Sequence, residues 1–402
     1  MSLKGRDVTV LGAGVAGLAV AQAMAQRGAH VRLLEQADGL RDVGAGLQIS
    51  PNGAAVLRAL GLEPALEAAS LRAKAVELRD GLSGRVVTRL EVGKLRPDQG
   101  YHFLHRADLI EILGQGARAA GVEINLLHRV DRVDLQGPVP CNHMVLGSKI
   151  ESDLLIGADG LHSRLRNAIV GCKPPFFTGQ VAWRAIVPAE ADAPAVAEVH
   201  MGEGRHLVSY PLRGGLWRNI VAVEERNSWS EESWTQKGDP EELRHAFASF
   251  APRVQDWLSR IETLWLWGLF RHPVAETWYK VLPQGAAVLL GDAAHPTLPF
   301  LAQGANMALE DAWVLADSLD RGLGDAEALA RYQDLRRARS ARIVEAANGN
   351  ARAYHLRGPL RRFAHMGLRL GGALAPNLAL GRFDWIYGHD VTAQSRAAGG
   401  NR

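Results

Sequence analysis

The chain has 402 residues, 47% of them hydrophobic and 22% charged, with a formal net charge of +3. Such a composition excludes a disordered or membrane-embedded chain, and the small charge, with no basic stripe interleaved with aromatics, argues against a nucleic-acid partner. Cys141 and Cys172 are the only cysteines, too few for a disulfide framework and without metal-ligand spacing, so no metal is expected; with no signal peptide visible, a cytoplasmic location is expected.

Val8-Thr9-Val10-Leu11 reads as a buried parallel strand that runs into Gly12-x-Gly14-x-x-Gly17 and then a helix over residues 16–25. Gly12 permits a tight turn, Gly14 leaves room for a pyrophosphate, and Gly17 lets the helix pack on the strand with its N-terminus aimed at the phosphates. A second strand at residues 31–34 ends in Glu35, 21 positions after Gly14, where a carboxylate could hold ribose hydroxyls. Residues 44–52 read as a glycine-containing loop leading to a helix at residues 53–60, with Asn52 as its cap. A hairpin is expected from 76–79 and 86–90, which already breaks simple strand–helix alternation. Arg106 stands just before a helix over residues 109–119, placed to meet a phosphate or to pair with Asp108 or Glu111.

Two further apolar strands end in the same manner. One delivers Ala158-Asp159-Gly160, and the other delivers Gly291-Asp292, followed by a helix that opens at Gly304. Three such strand ends favour one long dinucleotide over three unrelated turns. Residues 176–285 are rich in strand-like runs (181–187, 196–201, 207–211 and 217–223) and hold Trp229, Trp234, Trp257, Trp265, Trp267 and Trp278, expected mostly in the core. Residues 326–354 read as a long helix whose Arg336, Arg337, Arg339 and Arg342 are solvated or paired with acids. Residues 358–380 suit packing against the nucleotide domain or a second subunit, or a surface-associating helix; they are too charged and glycine-rich to span a bilayer. The tail after Asp390 is expected to be disordered.

Together, Gly12-x-Gly14-x-x-Gly17 with Glu35, Asp159-Gly160-x-x-Ser163-x-x-Arg166, and Gly291-Asp292-Ala-Ala-His295-Pro296 resemble the motifs of the single-component FAD-dependent aromatic hydroxylases related to p-hydroxybenzoate hydroxylase. The resemblance covers about residues 5–345, and Val181-Ala-Trp-Arg-Ala-Ile and Leu301-Ala-Gln-Gly-Ala-Asn-Met-Ala-Leu-Glu-Asp311 are most similar to the salicylate, 3-hydroxybenzoate and 6-hydroxynicotinate hydroxylase branch. It implies an α/β fold: a Rossmann-like FAD-binding domain (1–72, 100–175 and 280–345) interwoven with a mixed-sheet substrate domain (73–99 and 176–279), then C-terminal helices (346–390) and a tail (391–402). It also implies FAD as cofactor, NADH or NADPH and O2 as co-substrates, a small aromatic substrate hydroxylated through a flavin C4a-hydroperoxide, and a monomer or homodimer.

Carried over by position, Gly12, Gly14 and Gly17 would meet the FAD pyrophosphate, Glu35 the adenosine ribose, Arg106 the phosphate side, and Asp292 the ribityl chain, with Ala16 and Gln36 as further cofactor contacts. Arg41, Asp159 and Gly160 would add cofactor contacts, while Gly46, Pro299, Gly304, Ala305 and Asn306 would flank the isoalloxazine. Gln48, Pro299 and Phe300 would face the substrate. The branch's His-x-x-x-Tyr-Pro spacing reads His206-Leu-Val-Ser-Tyr210-Pro211 here, which makes His206 and Tyr210 the expected catalytic pair. Positions four apart on a strand share a face, and histidine suits removal of a phenolic proton. Departures are Gln48, where nicotinate-type enzymes carry histidine, Pro299, where some benzoate hydroxylases carry glutamine, and Ala302 in place of a glycine. A quinone precursor is the alternative substrate, and a flavin-fold binding protein without hydroxylase activity is the alternative class.

Overall fold

The structure, a computed structural model, describes residues 3–40, 46–95, 97–171, 173–226 and 236–393. Arg41, Cys172, Trp229 and Trp234 lie outside these residues. A six-stranded sheet runs in the order Tyr279–Val281, Ala286–Leu289, Leu154–Gly157, Asp7–Leu11, His30–Leu34 and Glu123–Asn125. Every pairing is parallel except that of the first strand with its neighbour. Leu154–Gly157 and Ala286–Leu289 are buried throughout, as their uninterrupted apolar sequences require of strands covered on both faces. Leu11 pairs with Gly157, and Gly157 with Leu289, so the three strands end side by side. The chain passes out to either side of Asp7–Leu11, which makes this edge a switch point, where a parallel sheet leaves a crevice for a ligand.

Helix Val15–Ala25 is apolar nearly all round and packs against Arg106–Ala119 and Gly304–Leu319. The second sheet has seven strands: Trp265–Arg271, Phe176–Pro188, Trp217–Glu225, Arg205–Leu212, Val196–Gly202, Ala75–Asp80 and Val86–Leu90. It is mixed, because Val196–Gly202 and Ala75–Asp80 run parallel while the other pairs are antiparallel. Alternation along Arg205–Leu212 sends Leu207 into a core with Trp183, Phe247 and Trp257 beneath helices Pro240–Ala246 and Pro252–Ser259. His206, Val208 and Tyr210 point the other way, toward the first domain.

Several expectations are corrected. Residues 46–49 form a strand paired with His102–His105, and the helix starts at Pro51 with Ser50 at its cap position, because proline presets the first helical turn. Asn52 lies inside that turn, where its amide donates to Glu310 (2.6 Å). Residues 130–151 build a separate three-stranded antiparallel meander. Helix Asp325–Tyr354 reaches from an ion pair with Arg6 to a core shared with Ala182, Val223 and Trp267 of the second sheet.

Of the two expectations for Arg336, pairing with acids holds: the residue is fully buried and binds Glu310 and Asp311, with the stem of the long side chain packed and its head paired. Helix Gly358–Leu374 packs on Val86–Leu90 of the second sheet, not on the nucleotide domain. Its polar Arg361 and His365 turn inward to Asp80, while Leu360, Phe363 and Met366 are exposed. Beyond Asp390, Val391 and Thr392 are buried, so the described start of the tail is anchored. Among the described residues no helix is long and apolar enough to cross a membrane.

Candidate active site

The glycine turn divides its labour by residue. Gly12 has φ +91°, and a Cβ there would stand 2.6 Å from the carbonyl oxygen of Ala158; at Gly17 it would stand 1.8 Å from that of Gly12. Both positions are closed by protein. Gly14 has nothing within 4 Å, so its open side is left to a ligand at the N-terminus of Val15–Ala25. Glu35 is held at the strand end by two backbone donors, Ala13 N–H to Oε2 and Ala37 N–H to Oε1, each at 2.8 Å. It lines a cleft with Gly12, Gly14, Gln36, Arg129, Asp159 and Gly160.

Asp159 is only half used by the fold. Its Oδ2 accepts from the N–H of Arg164 at 2.7 Å, while its buried Oδ1 has no partner among the described residues. Burial pushes its pKa up, against the pull of Ser163 and Arg164. An idle acceptor beside an open glycine turn fits the hydroxyls of a dinucleotide. Arg166 donates to the carbonyls of Ala293 (2.9 Å) and Pro273 (2.5 Å) and so ties this turn to the Gly291–Ala293 turn. Asp311 fixes the latter from below, accepting from Gly291 N–H at 3.0 Å and lying 2.5 Å from His295 Nε2. Asp292 is left to project into the cavity, with Arg106 also in the wall.

Farther in, the cleft opens into a cavity between Gly46–Gln48 on one side and residues 297–305 on the other, with Arg184, His206, Val208, Tyr210, Val221 and Val223 as its floor. The flat glycine approach is again built: Gly46 N–H donates to Asn219 Oδ1 at 2.8 Å, and a Cβ there would strike Asn219 and Tyr210. Gln48 Oε1 accepts from the Tyr101 hydroxyl at 2.6 Å. Ala302 adopts φ +51°, the left-handed conformation in which a glycine would be at ease. His206 is 2% exposed, and burial together with neighbouring His355 drives its pKa well below the usual histidine value. Burial raises that of Tyr210, which therefore keeps its proton as a donor.

Most expected site residues meet here. Gly12, Gly14, Ala16, Glu35, Gln36, Gly46, Gln48, Arg106, Asp159, Gly160, His206, Tyr210, Asp292, Pro299, Phe300, Gly304 and Ala305 line the connected clefts. Arg106 is the first residue of its helix, not the one before it, and Asp108 pairs instead with Arg213 at 2.8 Å. Gly17 and Asn306 stand behind the residues that line these clefts. Asn306 is fully buried; its amide donates to the carbonyls of Gln48 (3.0 Å) and Ala302 (2.8 Å) and accepts from Ser50 N–H (3.0 Å), clamping the two cavity walls together.

Arg184, Tyr101, Gln303 and His355 were not singled out from sequence. Only Arg184 carried a signal, a lone charge inside the apolar run 181–187. Gln303 donates to Ser50 Oγ at 2.9 Å and also lines the cavity.

With this geometry in hand, residues 6–347 match the FAD binding domain family. The chain is 37% identical to the 3-amino-4-hydroxybenzoate 2-monooxygenase of Streptomyces cremeus, over 87% of this chain and 88% of that protein. It is 33% identical to the 3-hydroxybenzoate 6-hydroxylase of Polaromonas naphthalenivorans, over 96% of each. Klebsiella pneumoniae HpxO, solved with FAD and uric acid, superposes with a TM-score of 0.80 at 25% identity, covering 92% of this chain and 94% of that one. The open face at Gly14, the idle acceptor of Asp159 and the cavity at the sheet's switch point agree with these matches: the chain belongs to the FAD binding domain family and, within it, to the FAD-dependent aromatic monooxygenases.

Proposed function

We propose that this monooxygenase hydroxylates a small carboxylated phenol of the hydroxybenzoate class, with His206 as the base and Arg184 as the carboxylate's counter-ion. The observation that carries the reading is the grouping of His206, Tyr210, Gln48 and Arg184 in one largely apolar cavity. Bound FAD would supply the redox chemistry, an electrophilic oxygen drawn from O2 at the expense of NADH or NADPH. The pyrophosphate belongs at Gly14, the adenosine ribose at Glu35 and Asp159, and the ribityl chain at Asp292. The chain's own residues prepare the ring. His206, kept neutral by burial, takes the hydroxyl proton and raises the ring's nucleophilicity. Tyr210 donates a hydrogen bond that orients the oxygen, while Val208, Val221, Val223 and Phe300 keep water out. The aminohydroxybenzoate and hydroxybenzoate named for the two relatives support this class over a quinone precursor.

The test compares His206→Ala and Arg184→Met in FAD-loaded enzyme with hydroxybenzoates and their decarboxylated phenols. Loss of the base should cut product formation by roughly 10²-fold or more with FAD retained. Loss of the guanidinium should raise KM for the acids and leave the phenols little changed. Undiminished coupled turnover by His206→Ala would reject the base.

A further inference from the structure

His206 has a second side. Its Nδ1 lies 2.7 Å from His355 Nε2, and His355 Nδ1 lies 2.9 Å from Glu225 Oε1. The other oxygen of Glu225 accepts from Arg357 at 2.7 Å. Both rings are buried, at 2% and 4% exposure, whereas the Glu225 side chain is 38% exposed. A continuous line of titratable groups thus leads from the cavity wall to water. The line is assembled from distant parts of the chain: His206 and Glu225 stand on neighbouring strands Arg205–Leu212 and Trp217–Glu225, and His355 follows the last residue of helix Asp325–Tyr354.

The order of donors is dictated by its outer end. Burial alone would raise the pKa of Glu225, but hydrogen bonds from His355 and Arg357 outweigh it and hold the group below its usual value. An ionised carboxylate only accepts, so His355 Nδ1 carries the hydrogen and its Nε2 is bare. That bare nitrogen accepts from His206 Nδ1–H, which leaves His206 Nε2 unprotonated; no partner occupies it among the described residues. The outer carboxylate therefore selects the tautomer that makes His206 a base toward the cavity.

Neither ring is a good place to leave a charge. His206 faces the rings of Phe300 and Tyr354 besides His355. His355 is disfavoured as a cation by burial and by Arg357 and Arg205, with Glu225 alone favouring it. A proton taken from substrate must move on.

We propose that His355 and Glu225 form the outlet through which the proton taken by His206 leaves for solvent; this rests on the reading of His206 as base. The substrate O–H bond breaks and its proton binds His206 Nε2. The proton on His206 Nδ1 passes to His355 Nε2, and that on His355 Nδ1 passes to Glu225 Oε1 and then to water. No electrons change hands, and reverse transfer restores both tautomers when the product oxygen is reprotonated. His355 and Glu225 touch no substrate and act through His206.

The test uses FAD-loaded His355→Gln, Glu225→Gln and His206→Ala enzyme. Single-turnover product formation is followed against pH in H2O and D2O, with FAD content measured in each. The outlet predicts normal FAD content, product formation slowed roughly ten-fold or more in both relay variants near neutral pH, recovery at pH values where the free substrate is already a phenolate, and an altered solvent isotope effect. Added imidazole should restore part of the rate to His355→Ala. Wild-type rates, pH profile and isotope effect in both relay variants, with His206→Ala defective, would overturn the outlet and leave the base standing. A fully active His206→Ala would overturn both.

Discussion

Gly14→Ala separates the fold's needs from the cofactor's. The residue has ordinary backbone angles (φ −76°) and nothing within 4 Å of an added Cβ, so the protein without FAD has no steric reason to object. A weaker helix cap, costing up to about 1 kcal/mol, is offset by the reduced freedom of alanine in the unfolded chain, about 0.4–1 kcal/mol. The net change in apoprotein stability is therefore about zero. A pyrophosphate must approach this backbone closely. A methyl group in its path displaces it and loses one or two charge-assisted hydrogen bonds, about 3 kcal/mol, or roughly 100-fold in Kd. Gly17→Ala is the control. Its Cβ would fall 1.8 Å from the carbonyl oxygen of Gly12, so the turn itself must shift, at about 2–3 kcal/mol of stability. Thermal unfolding of both apoproteins and titration with FAD by flavin fluorescence give the two numbers. Equal loss of stability in the two variants, or an unchanged Kd for Gly14→Ala, would refute the division.

Ala302→Gly should stabilise the protein by about 0.5 kcal/mol, the relief of a left-handed alanine at φ +51° exceeding glycine's extra unfolded entropy; a lower Tm than wild type would contradict this. Arg336→Met leaves Glu310 and Asp311 buried with one partner fewer and should cost about 3–5 kcal/mol in urea unfolding. Glu198 is held at about 2: burial opposes its ionisation, but His200 and Arg253 outweigh it. Because this lies below the ordinary 4.5, the group's stabilisation is complete above pH 4.5 and is lost as pH falls toward 2, on the order of 3 kcal/mol. Glu198→Gln should flatten the acid limb of the stability curve over that window.

The nucleotide half of the fold was readable because its chemistry is local: Gly12, Gly14 and Glu35 sit at fixed offsets around one strand–turn–helix unit, and each strand end announces the next turn. The site was legible in part. His206 and Tyr210 were singled out by the resemblance, and alternation on one strand turns both toward the cavity. The hydrogen bonds of Asn306 to Gln48, Ser50 and Ala302 were not legible, since a motif does not tell which backbone groups an amide will meet. For Arg336 the choice between solvation and pairing stayed open because its buried acids, Glu310 and Asp311, lie on another helix. His355 was invisible for the same reason: its partners are 149 and 130 positions away in the chain.

The most direct test of the account is NADH and NADPH oxidation by the FAD-loaded protein in air across hydroxybenzoates, aminohydroxybenzoates, hydroxypyridines and quinone precursors, with hydroxylated product quantified. The account predicts that a carboxylated phenol stimulates oxidation and yields close to one hydroxylated product per reduced nucleotide consumed. FAD-loaded protein whose oxidation of both nucleotides is stimulated by no carboxylated phenol, or only with no hydroxylated product, would contradict it.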